Sequence, residues 1–155
     1  MQTFLPYSNL SRTASVLDRQ RLGKQRVETL QIVKALTDPS YGWQNHPVVG
    51  MWRGYLPALL KYQMAICGEW TRRGYKDTCL DKTFAIARES FGSDYEMKLA
   101  IVTAIEPPWF GNADIHLSHR SNLLRKLPEH YAPLFEPELV DTIPYVWPKN
   151  IGIVA

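Results

Sequence analysis

At 155 residues, 45% of them hydrophobic and with a formal charge of +3, the chain has the size of one ordinary domain and enough apolar material for a core, which argues against global disorder. No apolar run reaches the ~18–20 residues that would span a bilayer, and MQTFLPYSNLSR lacks the basic-then-apolar design of a secretory signal, so a cytoplasmic protein is expected. Cys67 and Cys79 form no CxxC and no repeated Cys/His spacing, which argues against a structural zinc site and fits two reduced thiols.

Residues 1–8 read as an extended arm, because Pro6 disfavours a helical Leu5. Asn9, Ser11 and Ser15 are N-cap candidates, and Ser15 with Asp18 partly resembles a capping box. A helix to about Leu36 should follow. Its narrow buried stripe would run through Val16, Gly23, Val27, Leu30 and Val33–Lys34. Asp38-Pro39 and Gly42 end it in the loop DPSYGWQNHP. Pro47 suits the first turn of a second helix, and Pro57 should kink or break that helix near Tyr55. ALLKYQMAICGEWTRRG then has helical apolar spacing, with Gly74 as its stop. Residues 82–91 suit a short helix capped by Asp81. Residues 94–105 read as helix by length and as strand by the run IVTAI, and Pro107-Pro108 close them. Asn112 or Asp114 can cap a helix through IHLSHRSNLLRK, and Pro128 starts a short one, PEHYAPLF. The tail IPYVWPKNIGIVA reads as extended, with aromatics packed on the body. No linker, repeat or low-complexity stretch divides the chain. The expected fold is all-α: one compact domain over residues 1–155, with about three main helices, several short ones and an extended N-terminal arm packed near the active site.

The positive charge is localised. From Arg12 to Lys34 there are six Lys/Arg against two acids, and a second cluster runs from His119-Arg120 to Arg125-Lys126. Such clustering suits a phosphate-facing surface, although solvated helix faces produce the same pattern. Glu28 stands among these cations, with Lys24 and Arg21 one and two turns back and Gln25 beside them. It is either half of an ordinary exposed ion pair or an acid held at the point of chemistry. His116 and His119 are spaced i, i+3 but have no third ligand at matching spacing, so hydrogen bonds or phosphate contacts are preferred to a metal. No G-x-S-x-G, Walker A or G-x-G-x-x-G is present, which removes most hydrolase and nucleotide-binding readings. Tyr7, Tyr41 and Trp43 lie in the predicted loops and arm, where an aromatic ring can stack on a base.

LDRQRLGKQRVETLQIVKAL resembles the first helix of the pyrimidine-dimer DNA glycosylase family, the endonuclease V type first known from a phage. A family pattern near L-D-R-Q-x-L-x-x-x-W-R-E-x-L-L, counted from Leu17, places its single catalytic glutamate on Glu28. YQMAICGEWTRRGYKDT resembles the family's long middle helix, and SHRSNLLRKLPEHY its late S-x-x-x-L-x-x-K-x-P-x-x-Y segment. Together these cover about half the chain, and the match is close to a bacterial branch of the family. The sequence departs from the pattern at Val27, where the family has Arg, and at Gln2, a large residue before which methionine aminopeptidases generally spare Met1.

The resemblance implies an all-α DNA glycosylase with an abasic-site lyase step, which flips a nucleotide from duplex DNA and excises a damaged or modified pyrimidine. The base is a pyrimidine dimer or a bulky hypermodified base of phage DNA. The nucleophile implied is the α-amine of Met1, or of Gln2 if Met1 is removed. Lys24 and water are the substitutes. An α-amine with an ordinary pKa of roughly 7.7–8.0 keeps a useful neutral fraction at pH 7. Arg19, Arg21, Lys24, Gln25, Arg26, His46, His119, Arg120, Arg125 and Lys126 are the DNA-contact candidates. No cofactor, metal or obligate protein partner is expected, and the protein should be a nucleoid-associated monomer. The rival readings are a non-catalytic DNA-binding module of the same fold and a small RNA-binding protein.

Overall fold

Two side-chain caps set the geometry at the start of the chain. Asn9 accepts the Arg12 N–H and opens α1, Leu10–Val16. Asp18 accepts the Arg21 N–H and opens α2, Arg19–Thr37. The expected single helix with a Ser15–Asp18 box is therefore two helices: Ser15 lies inside α1, and Asp18 is itself a cap. Leu17 before that cap and Leu22 in the first turn after it are both fully buried, the two positions of a hydrophobic staple. The Tyr131 hydroxyl locks the corner, accepting the Asp18 N–H and donating to the Asp18 carboxylate.

The computed structural model describes residues 1–153, and among these it contains no β-strand. After α2 come α3 (Pro47–Trp52), α4 (Leu56–Arg72), α5 (Cys79–Arg88), α6 (Asp94–Val102), α7 (Ala113–Lys126), the single turn α8 (Pro128–Tyr131) and a 3-10 turn at Pro148–Ile151. Both prolines behave as their chemistry dictates. Pro47 and Pro57 occupy first turns, and the chain breaks between them. Gly74, at φ +96, takes the left-handed conformation that ends α4.

Two further expectations need correction, and one left open is decided. α5 begins at Cys79 rather than 82, because the Asp77 carboxylate accepts the Cys79 and Leu80 N–H groups at 3.1 and 3.0 Å. Residues 94–102 are helical, opened by Ser93 with Glu96 three residues on, the spacing of a capping box. The tail is not extended throughout, since it closes in the 3-10 turn; its last two residues, 154–155, lie outside the described residues.

α2 is the central element, packed against α4 and α5, with α1 on α4. A Cβ at Gly23 would meet the Trp70 ring at 3.0 Å, so this glycine permits the close approach of α2 to α4. The buried stripe of α2 runs through Leu22, Gln25, Thr29, Leu30, Ile32 and Val33, whereas Val27 is 44% exposed. The polar members of that stripe are buried because the N-terminal arm lies over them. Trp52 sits edge-on to Trp109 at 4.9 Å in the middle of the core.

Candidate active site

An extended arm outside a sheet must find partners for its backbone polar groups. Here side chains supply them. Gln2 N–H donates to Glu28 Oε2 at 3.1 Å, and Gln2 C=O accepts from Gln25 Nε2 at 2.7 Å. Phe4 N–H donates to Gln25 Oε1 at 2.9 Å, and Phe4 C=O accepts from the Tyr62 hydroxyl at 2.7 Å. Leu5 N–H donates to His119 Nδ1 at 2.9 Å. His116 Nε2 accepts the Gly111 N–H, which leaves its Nδ1 to donate to Leu5 C=O at 2.7 Å. Arg120 holds Pro6 C=O at 2.7 Å, and Thr13 bonds both backbone groups of Tyr7. The Thr3 hydroxyl accepts from the Trp52 indole at 3.0 Å. Helices α1, α2, α3, α4 and α7 thus fix the first residues of the chain.

The arm ends in a cleft of about 410 Å³ lined by Met1, Gln2, Arg21, Lys24, Glu28, Lys126 and Tyr145, among others. Glu28 is 13% exposed by its side chain, and its second oxygen lies 3.5 Å from Lys24 Nζ, whose own side chain is 76% exposed. Burial lowers the Lys126 pKa, and the positive charges of Arg21, Arg125 and Lys24 lower it further against the pull of Glu28. Burial raises the Tyr145 phenol to about 12. His46 caps α3, its Nδ1 accepting the Val48 N–H. Its pKa is lowered by burial and then by the N-terminal ammonium, with Glu28 opposing, so His46 lies within electrostatic reach of both. The cleft therefore gathers an acid, the end of the chain and three cations around one concavity.

The structure brings together Met1, Gln2, Arg21, Lys24, Glu28 and Lys126, with His46 close by. Arg19 is exposed, with its guanidinium 5.4 Å from the Tyr75 ring centre. Five other DNA-contact candidates are committed elsewhere. Gln25 is 0% exposed and its amide is spent on the arm and Thr29. His119 is buried with its pKa pushed to about 3 by burial, so it is neutral and cannot meet a phosphate. Arg26 bonds Asp77 at 2.6 Å and stacks on Trp70 at 4.3 Å. Arg120 pairs with Glu136 at 3.0 Å besides holding Pro6. Arg125 donates to the Asp141 carbonyl and to Asn122. In this structure all five side chains are engaged within the fold, Arg125 at an exposed position.

Tyr145, Gln20 and Phe4 also line the cleft and had no local signal. Only the aromatic content of the tail hinted that Tyr145 packs inward. A family model described as pyrimidine dimer DNA glycosylase matches residues 1–83, the part of the chain that carries the arm and Glu28. No curated protein and no solved structure matches the chain.

Proposed function

The chain belongs to the pyrimidine dimer DNA glycosylase family, and on that premise we propose that it excises a damaged or modified pyrimidine from duplex DNA at the cleft holding Glu28. The observation that carries this reading is the 3.1 Å bond between Gln2 N–H and Glu28 Oε2, with the first residue of the chain in the same cleft. In the proposed reaction the neutral α-amine attacks the sugar C1′. The C1′–N bond breaks, and the base leaves with the electron pair and takes up a proton. Loss of the amine proton and ring opening give an imine to the chain, and β-elimination then breaks the C3′–O bond. A carboxylate against the amine side of the sugar suits Glu28 to accept the amine proton and to stabilise the cationic sugar.

Lys24, Arg21 and Lys126 are proposed to hold the phosphates that flank the extruded sugar. Duplex DNA is the expected substrate, and extrusion costs least at a base already poorly stacked, which favours a dimer or a bulky modified pyrimidine. The reading covers residues 1–155 as one functional domain acting without a cofactor or obligate partner. Lys24 is a weaker candidate nucleophile, because its amine is mostly in solvent and paired with the carboxylate that would have to activate it.

The test uses untagged protein whose N-terminus has been read by mass spectrometry. Labelled duplexes carry a thymine dimer, a glucosylated hydroxymethylcytosine, an abasic site or no lesion, and borohydride is added. A trapped adduct mapping to the first residue, lost in Glu28→Gln while duplex binding persists, is the expected result. Breaks without an adduct would replace the amine by water activated at Glu28. Duplex binding with no excision on any lesion would favour the non-catalytic module.

A further inference from the structure

Helix α6 breaks the rule that a surface helix is apolar on one side only. Its core side carries Met97 and Ile101, both buried, where the helix packs on α4 and α5. At 3.6 residues per turn, Tyr95, Leu99 and Val102 form a second apolar stripe on the opposite side, and Ile105 follows just past the helix end. These four residues are 72%, 46%, 75% and 79% exposed. Apolar residues scattered singly on a surface are ordinary, whereas a contiguous apolar stripe marks a contact site. No residue of α6 lines the Glu28 cleft, so the stripe has no part in the reaction proposed above.

Area and charge say what covers it. The four side chains expose on the order of 400 Å² of apolar surface. Non-obligate interfaces are about 57% apolar, so this amount corresponds to about 700 Å² per copy and about 1,400 Å² for a pair, within the standard size class. The flanks of the stripe carry one charge of each sign, Lys98 on one side and Glu96 on the other. Both are exposed, and neither enters an ion pair among the described residues. Two residues apart, they do not face each other on their own helix. Asp94, the remaining charge of α6, is paired with Arg88 at 2.7 Å. A binding surface of a single sign would set like charge against one flank. A second copy does not. When two α6 helices lie side by side in the same direction about a two-fold axis, Lys98 of each copy faces Glu96 of the other. The antiparallel arrangement would set Lys98 against Lys98.

We propose that this face of α6 is the contact between two copies of the chain: a reversible two-fold dimer in which the Tyr95–Leu99–Val102 stripes pack on each other, with the helices parallel and two Lys98–Glu96 pairs closing the flanks. Such a contact is isologous and closes on itself, so it gives a dimer and not a filament. It departs from the monomer expected of the sequence. It also leaves the Glu28 cleft of each copy open, because the cleft is lined from the arm, α2, Lys126 and Tyr145.

Sedimentation equilibrium of the full chain, from about 1 to about 500 μM, tests this. The wild type should pass from the mass of one chain, 17.8 kDa, toward twice that value within the range. Val102→Glu and Ile105→Glu change the two most exposed positions of the stripe and leave the core untouched. Each should weaken association by roughly tenfold or more, since a carboxylate would be pressed against apolar surface. Both should keep the wild-type circular dichroism spectrum and melting temperature at low micromolar concentration. Lys98→Glu alone should weaken association too, and adding Glu96→Lys to it should restore association, a rescue that unspecific apolar adhesion would not show. A wild type that keeps the mass of one chain across the range overturns the proposal. So does association that Val102→Glu and Ile105→Glu leave intact, or a Lys98→Glu variant that associates as the wild type does. None of these outcomes depends on the glycosylase reading.

Discussion

Replacing Gln25 by methionine removes an amide from a fully buried site while nearly preserving side-chain volume. Gln25 donates to Gln2 C=O at 2.7 Å and to the Thr29 hydroxyl at 3.0 Å, and accepts from Phe4 N–H at 2.9 Å. The variant leaves two backbone groups of the arm without partners in the docked state. Each costs about 1–3 kcal/mol when buried and unpaired, so arm docking should weaken by about 2–6 kcal/mol, or roughly 30- to 20,000-fold in its equilibrium constant. Global stability need not fall by that amount, because the arm can detach and hydrate its own backbone. Amide hydrogen exchange resolves the two. Residues 2–5 should lose protection while Leu22, Ile32 and Ile66 in the core keep theirs. Excision and borohydride trapping should fall with the docked fraction, and duplex binding should fall less. Native protection of the Phe4 and Leu5 amides in Gln25→Met would refute the claim that this side chain positions the end of the chain.

The remaining expectations separate residues that build the site from those that meet DNA. Lys126→Ala should lower the slope of log affinity against log salt by about one charge, a phosphate-contact signature measurable by anisotropy titration. Arg26→Ala should leave that slope unchanged but cost about 3–5 kcal/mol in urea unfolding, because Asp77 then stays buried without its cation. Acid should destabilise the fold through His119. Its folded pKa of about 3 lies below the ordinary 6.5, so the unfolded chain takes up a proton that the fold refuses. The contribution is whole above pH 6.5 and drains as pH falls toward the folded value, with about 2 kcal/mol gone by about pH 5. His116, also lowered, acts in the same direction. Urea melts at about pH 7.5 and about pH 5 should show the loss, and His119→Asn, which can still accept the Leu5 N–H, should flatten it. An unflattened slope would refute the assignment.

Much of the helical framework was legible because its punctuation is local. Asn112 caps α7, Pro47 and Pro57 open helices, and Gly74 closes one, each through chemistry confined to a few residues. The missed break at Leu17–Asp18 was also local: an aspartate before three helix formers, preceded by an apolar residue, is a cap with a staple. α5 was misjudged for another reason. Its cap, Asp77, is held by Arg26 from α2, a contact fifty-one residues apart in sequence. The intramolecular partners of the polar residues were hidden in the same way. Gln25, His119, Arg120, Arg125 and Arg26 looked like a polyanion surface because polarity without a visible partner reads as solvent or ligand contact. Their partners are arm carbonyls, arm amides and distant acids, which no periodicity reveals. Glu28 and the end of the chain were singled out only through the register of the resemblance, since an isolated Lys24–Glu28 pair is unremarkable on a helix.

The arm also bears on the choice between Met1 and Gln2. Residues 2–7 are held by side chains of five helices, and none of those bonds involves Met1. The Gln2 nitrogen is thus fixed 3.1 Å from Glu28 by the rest of the arm. With Met1 present that nitrogen is an amide, which cannot attack a sugar, and the amine lies one residue farther along the cleft. With Met1 removed the same atom becomes the α-amine, already hydrogen-bonded to the acid that would take its proton. Processing would therefore change the identity of the reacting group without moving the scaffold. A side-by-side comparison of the two N-termini should give a faster trapping rate for the form beginning at Gln2, provided its glutamine has not cyclised. Equal rates would mean that the cleft accommodates either amine and that the Gln2–Glu28 bond is structural.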